Sequence, residues 1–111
     1  MTMSNYPSGA VILVALPFTN TLTAKLRTAL VLIDTKDQDI IVARITSQVT
    51  HKTFTVEIEE LEQANLLKLS WVRVDKINTI EKSLVNRQLG TLASQDWEKV
   101  KDQINLLWAK M

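Results

Sequence analysis

Apolar residues in this chain come in short runs broken by polar turns, and one long helical stripe closes the sequence. The stretch Lys25–Ser47 (KLRTALVLIDTKDQDIIVARITS) reads as two strands, Thr28–Asp34 and Ile40–Thr46, around a polar turn at Thr35–Asp39. Ala10–Leu16 (AVILVAL) is a continuous apolar run of strand length, which predicts a central strand stopped by Pro17. Met1–Ser8 reads as a loose tail ending in a turn at Pro7-Ser8-Gly9. Phe18–Leu26, threonine-rich and without glycine, reads as a loop able to fold over the Arg27 end of the hairpin. Gln48–Lys52 is a connection. Thr53–Ile58 alternates, with Phe54, Val56 and Ile58 on one face, and predicts a half-buried strand. Leu61, Ala64 and Leu67 recur at helical spacing within Glu59–Leu67. Trp71–Asp75 alternates again, with Val72 and Val74 inward, and Ser83–Leu92 reads as a last strand ending near Gly90. Ser94–Met111 is a helix: Ser94 suits the N-cap, Asp96 and Glu98 suit the first turn, and Trp97, Val100, Ile104, Leu107, Trp108 and Met111 form one stripe. The fold class expected is mainly β, a small antiparallel barrel or sheet closed by a C-terminal helix.

Composition narrows the classes. The 111 residues suit one domain, 1–111, with 1–8 as a flexible tail. An apolar fraction of 46% without long charge blocks argues for a packed core. The chain has no cysteine, which excludes disulfides and thiolate metal sites and points to a reducing compartment. The first residues carry no positive n-region and Ala10–Leu16 is too short to span a bilayer, so a soluble cytoplasmic protein without membrane contact is expected. His51 is the only histidine and reads as an exposed imidazole. With no carboxylate cluster at ligand spacing, neither metal nor cofactor is expected. Two distant glycines rule out a glycine-rich phosphate loop, and no nucleophile elbow is present. The net charge of +1 does not announce a nucleic-acid binder, yet charge can still gather on one face.

Strand pairing turns the pattern into candidate chemistry. With a two-residue loop at Lys36-Asp37, Arg27 lies opposite Thr46 and Ala29 opposite Arg44, all four on one sheet face. A three-residue loop shifts the register by one and sets Arg27 opposite Ser47. Either way an arginine meets a hydroxyl, with a second arginine nearby, which is a cradle for phosphate; solvated strand-end side chains are the other reading. Arg73 and Asp75, two apart on a strand, project the same way roughly 6–7 Å from each other. They either form an ion pair or hold an RNA phosphate or 2′-hydroxyl, with Asp75 able to accept a proton and Arg73 to neutralise charge. Lys76 and Arg44 add electrostatic attraction. Trp71 shares the Arg73 face and either stacks on a base or covers a core or subunit contact. Trp97 and Trp108 are expected to pack inward or against a partner chain.

These residues also carry a resemblance. Gly9 opens the first strand before VILVALPF, and Arg27 heads the second in KLRTALVL. Ile41–Ser47 ends the third strand, and VRVDKINTIEKSL (Val72–Leu84) and LGTL (Leu89–Leu92) follow. In that order and spacing the chain, from Gly9 to about Val100, resembles the MazF/PemK/Kid family of toxin ribonucleases. The resemblance implies an SH3-like antiparallel β barrel with a short helix and a C-terminal α-helix, assembled as a homodimer. It implies metal-independent cleavage of single-stranded RNA, leaving 2′,3′-cyclic phosphate and 5′-hydroxyl ends, and neutralisation by a cognate antitoxin that also takes part in DNA binding. Arg27 and Thr46 match the family's catalytic pair, with Asp75 the available base. Lys25, Arg44, Ser47, Arg73 and Lys76 are the expected nucleic-acid contacts. Because a guanidinium is a poor proton donor, Arg27 is expected to stabilise charge on the phosphate, while Thr46 orients it. Three positions depart from the pattern: Ala10 stands where an acid is usual, Thr28 where a proline is usual, and the 18–26 loop lacks glycine. Two other readings stay open: a gyrase-poison-like protein-binding toxin of the CcdB type, and a silent RNA- or partner-binding barrel.

Overall fold

The computed structural model describes residues 5–16, 25–48 and 53–111. Its elements are β1 (Ala10–Leu16), β2 (Lys25–Asp34), β3 (Asp39–Thr46), β4 (Thr55–Glu57), α1 (Leu61–Ala64), β5 (Trp71–Glu81), β6 (Val85–Thr91) and α2 (Ser94–Ala109). All pairings are antiparallel, in one six-stranded sheet of order β4-β5-β3-β2-β1-β6. The extents of 37 × 33 × 31 Å are those of a sheet rolled toward a barrel rather than laid flat. The roll does not close: among the described residues β4 and β6 are the two edges.

Each sheet face carries its own apolar cluster, which is why the strand patterns differ. Val11, Leu30, Ala43, Ile45, Val72 and Val74 pack on one face with Val100 of α2. Ala10, Ile12, Val14, Ala29, Val31, Ile40, Val42 and Ile80 form the other. β1 contributes to both and is fully buried at Ala10, Val11, Ile12 and Val14, as expected of a central strand. Gly9 begins it at φ +93°, a left-handed conformation that glycine adopts without penalty. The turn at Pro7-Ser8-Gly9 is present, with the Ala10 amide donating to Pro7 O at 3.0 Å.

Several boundaries move. Leu26 belongs to β2 instead of to a loop, and with Lys25 it pairs with Ala15 and Leu16; residues 18–24, the rest of that loop, lie with Pro17 outside the described residues. Met1–Ser4 and Val49–Lys52, with His51, lie outside them as well. The tail is not loose at Tyr6, whose amide donates to Asp34 Oδ2 at 3.0 Å. β4 starts only at Thr55 because Phe54 is left-handed, at φ 56°. α1 stops at Asn65, also left-handed, so Leu67 falls beyond the helix and is 99% exposed. β5 runs six residues past Asp75, since Ile77–Glu81 hydrogen-bond to β3 although most of their side chains face solvent. Ala93, not Ser94, caps α2. Asp96 is buried in its first turn and accepts the Glu59 and Glu60 amides, at 3.2 and 3.0 Å, so it docks the helix onto the start of α1. Trp97 packs on the core, whereas Trp108 is 65% exposed and does not pack inward.

Gly90 marks where α1 meets β6. A Cβ there would come within 2.6 Å of Gln63 O and 2.7 Å of Ala64 C, both backbone atoms that cannot turn aside. Gly90→Ala is therefore expected to destabilise the fold by about 1–3 kcal/mol, the range for overpacking. Urea midpoints at unchanged slope measure this. A variant as stable as the parent would mean that α1 is free to shift.

Candidate nucleic-acid interface

The register of β2 against β3 decides which side chains share the open end of the hairpin. Next to the turn, Asp34 faces Ile40 and Ile33 faces Ile41, the register of a three-residue loop. An irregularity between Val31 and Ile33 then restores the two-residue register, so Val31 faces Val42 and Ala29 faces Arg44. Carried two residues further, this register sets Arg27 beside Thr46. The Thr28 hydroxyl, donating to Ile45 O at 3.5 Å, follows the same alignment. Both expected registers thus occur, one on each side of a bulge.

β5 extends the arrangement. Arg44 faces Arg73 and Thr46 faces Trp71. Opposed residues point the same way, so Ala29, Arg44 and Arg73 form one cross-strand row and Arg27, Thr46 and Trp71 the next. Two arginines directly across from each other repel. Asp75 relieves this: Arg73 Nη2 donates to its Oδ2 at 2.8 Å and Nε to its Oδ1 at 3.2 Å. Burial pushes the Asp75 carboxyl up, but the Arg73 hydrogen bond and charge outweigh it and hold the group below the usual carboxylate range.

A groove of about 720 Å³ runs over the ends of these strands. Arg27, Arg44, Thr46 and Ser47 line it from the hairpin, Leu13 and Arg87 from β1 and β6, and the Leu66–Lys68 loop from above. Four cations, Arg27, Arg44, Lys68 and Arg87, face a lining with no aspartate or glutamate among the described residues. On a chain of net charge +1 this is charge gathered in one place. The Thr46 hydroxyl has local partners: it accepts the Gln48 amide at 3.1 Å and donates to Gln48 O at 3.0 Å. That turn fixes its direction and leaves one lone pair for another donor.

The expected residues therefore divide. Arg27, Thr46, Arg44 and Ser47 come together at the groove. Arg73 and Asp75 sit one strand away as an ion pair on the same sheet face, Trp71 is half-buried across from Thr46, and neither Lys25 nor Lys76 lines the groove. Arg87 and Lys68 went unnoticed in the sequence. Arg87 needs the β1–β6 pairing to be placed, and Lys68 lies in a loop without periodicity. The one usable signal was Arg87 standing two residues before Leu89 on a strand, which gives both one face.

Comparison with known proteins places the fold and the family. No match was found among curated proteins. Among solved structures, a mycobacterial endoribonuclease in complex with its cognate antitoxin superposes with a TM-score of 0.78 at 16% identity, over 95% of this chain and 96% of that one. The Mycobacterium tuberculosis toxin MazF-mt6 gives 0.74 at 21% identity, over 90% and 96%. MazF in a MazE-MazF crystal from Deinococcus radiodurans gives 0.74 at 16% identity, over 94% and 96%. At such identities the likeness shows the fold. The sequence itself matches, over residues 8–108, the family model described as PemK-like, MazF-like toxin of type II toxin-antitoxin system. By that match, across nearly its whole length, the chain belongs to the PemK-like and MazF-like toxins of type II toxin–antitoxin systems.

Proposed function

We propose that this chain is an endoribonuclease toxin that cuts single-stranded RNA without a metal and is held in check by a cognate antitoxin. The observation that carries it is the groove in which Arg27 and Thr46 stand together among Arg44, Lys68 and Arg87, with no carboxylate in the described lining. A polyanion is attracted to such a lining, and a phosphate gains most there when negative charge builds on it. Cleavage proceeds by attack of the ribose 2′-hydroxyl on the adjacent phosphorus, its proton passing to water, while the bond to the 5′-oxygen breaks and that oxygen takes a proton from water, leaving a 2′,3′-cyclic phosphate and a 5′-hydroxyl. Arg27 stabilises the charge of the pentacovalent phosphate. Thr46, oriented by its turn at Gln48, aligns the attacking hydroxyl through its remaining lone pair. Asp75, with its carboxyl held low beside Arg73, is a poor proton acceptor. We assign it to steadying Arg73 against Arg44, and assign Arg73, Lys25 and Lys76 to the flanking RNA path. The homodimer and the cytoplasmic location belong to the same proposal. Two solved neighbours are complexes with an antitoxin, which supports an antitoxin partner here. No helix among the described residues is long and apolar enough to cross a membrane.

Incubation of the purified protein with a mixed single-stranded RNA pool in EDTA tests the proposal. Fragments are expected whose 3′ ends resist phosphatase until acid opens the ring and whose 5′ ends accept a kinase label. An RNA pool left intact, with gyrase inhibited instead, would transfer the assignment to a protein-binding toxin.

A further inference from the structure

We propose that Arg87 holds the phosphate of a neighbouring nucleotide, separate from the one being cut, and so sets the path of the RNA across β1. This rests on the RNA assignment of the groove and adds a second backbone contact to it. Arg87 faces Leu13, and Leu13 faces Thr28, so β1 lies between β6 and β2. Two strand spacings, roughly 9–10 Å, separate the backbones that carry Arg87 and Thr28. Alternation puts Arg87, Leu13 and Thr28 on one sheet face and Arg27 on the other. The two guanidiniums thus enter one groove from opposite faces and from strands two apart. Arg44 differs: it sits on the strand next to Arg27, on the same face and one row along. Leu13, apolar and half-buried between the two forks, offers nothing to a phosphate and leaves room for a sugar or base.

Arg87 is also well placed to measure distance. Its strand is tied to β1 on one side and to the groove's upper wall on the other, where Asn65 Nδ2 donates to Leu89 O at 3.1 Å and Gly90 lies against the α1 backbone. The side chain itself is exposed, so replacing it leaves the core untouched.

The test uses an RNA oligonucleotide that the wild type cuts, made uncuttable by a 2′-deoxyribose at the cut. A series of such strands carries one uncharged methylphosphonate each, stepped along the linkages. Wild type is expected to lose affinity at the cut linkage and at flanking ones, among them a second linkage held by Arg87. Arg87→Gln is expected to bind the unmodified strand roughly tenfold more weakly, with a salt slope lower by about 0.7. It should ignore the methylphosphonate at the second linkage while still sensing the one at the cut. Equal affinity and slope in Arg87→Gln, with wild type cutting normally, overturns this proposal alone. So does a loss of sensitivity at the cut linkage, which would put Arg87 on the reacting phosphate. A wild type that binds no RNA overturns the RNA assignment and this proposal with it.

Discussion

Arg27→Ala is expected to cut single-stranded RNA about 10²–10³ times more slowly than wild type, the usual loss when one donor aimed at developing charge is removed. The reason is position. Arg27 is half-buried at the end of β2, faces the groove, and reaches it from the same sheet face as Thr46 and Arg44. Arg27→Lys keeps the charge but not the planar fork, and a lysine cannot grip two phosphate oxygens at once. It should therefore bind RNA nearly as well and still lose most of the rate. Single-turnover rates at saturating protein separate these effects, and circular dichroism with a thermal melt checks that the sheet is intact. If Arg27→Ala stays folded and cuts at close to the wild-type rate, charge stabilisation belongs to another of the groove's cations.

Asp34→Ala should be the most damaging single change to stability. Asp34 and Lys82 are both buried and form an ion pair at 2.9 Å. The same carboxylate accepts the amides of Tyr6 at 3.0 Å and Lys36 at 2.8 Å. It thus fastens the N-terminal segment, the β2–β3 turn and the segment after β5 at one point. Removing it leaves an uncompensated buried ammonium, at a cost of about 3–5 kcal/mol. For a domain of this size the melting point should fall on the order of 15 °C. Replacing both partners with apolar residues, Asp34→Leu with Lys82→Met, should recover much of the loss, because a buried pair is costly mainly when halved.

The pH dependence of that pair follows from its sign. Burial pushes the Asp34 carboxyl up, but the Tyr6 and Lys36 amides and Lys82 overcome it and bring the group from 3.8 down to about 2. A folded-state value below the unfolded one stabilises the native protein above pH 3.8, and this contribution is lost as pH falls toward 2. Wild type should lose stability across that window more steeply than Asp34→Asn. Parallel curves for the two proteins would show that the pair does not tune acid stability.

Much of this was readable from the chain because it is local. The continuous apolar run Ala10–Leu16, with no polar face, fits only a strand covered on both sides, and Val11 and Ile12 pack into different clusters. The α2 pattern fixed its inner residues at Trp97, Val100 and Ile104. Hairpin arithmetic brought Arg27 toward Thr46 because register inside one hairpin depends on a few adjacent residues. Local pattern failed where distant segments set the outcome. Asp96 looks like a surface acid of a first helical turn and is buried because two amides 36 and 37 residues away need an acceptor. Lys82 looks like a solvated cation and is buried because Asp34 waits across the sheet.

The amino-acid sequence alone determined the strand-rich architecture, the closing helix, the family and the meeting of an arginine with a hydroxyl at one hairpin end, all consequences of periodicity and short-range pairing. Only the tertiary structure decided that Arg87 and Lys68 join them in one groove and that Asp75 is occupied with Arg73. The first depends on how the sheet rolls and on which strands become neighbours, which no spacing along the chain encodes; the second chooses between the two readings that the spacing of Arg73 and Asp75 left open.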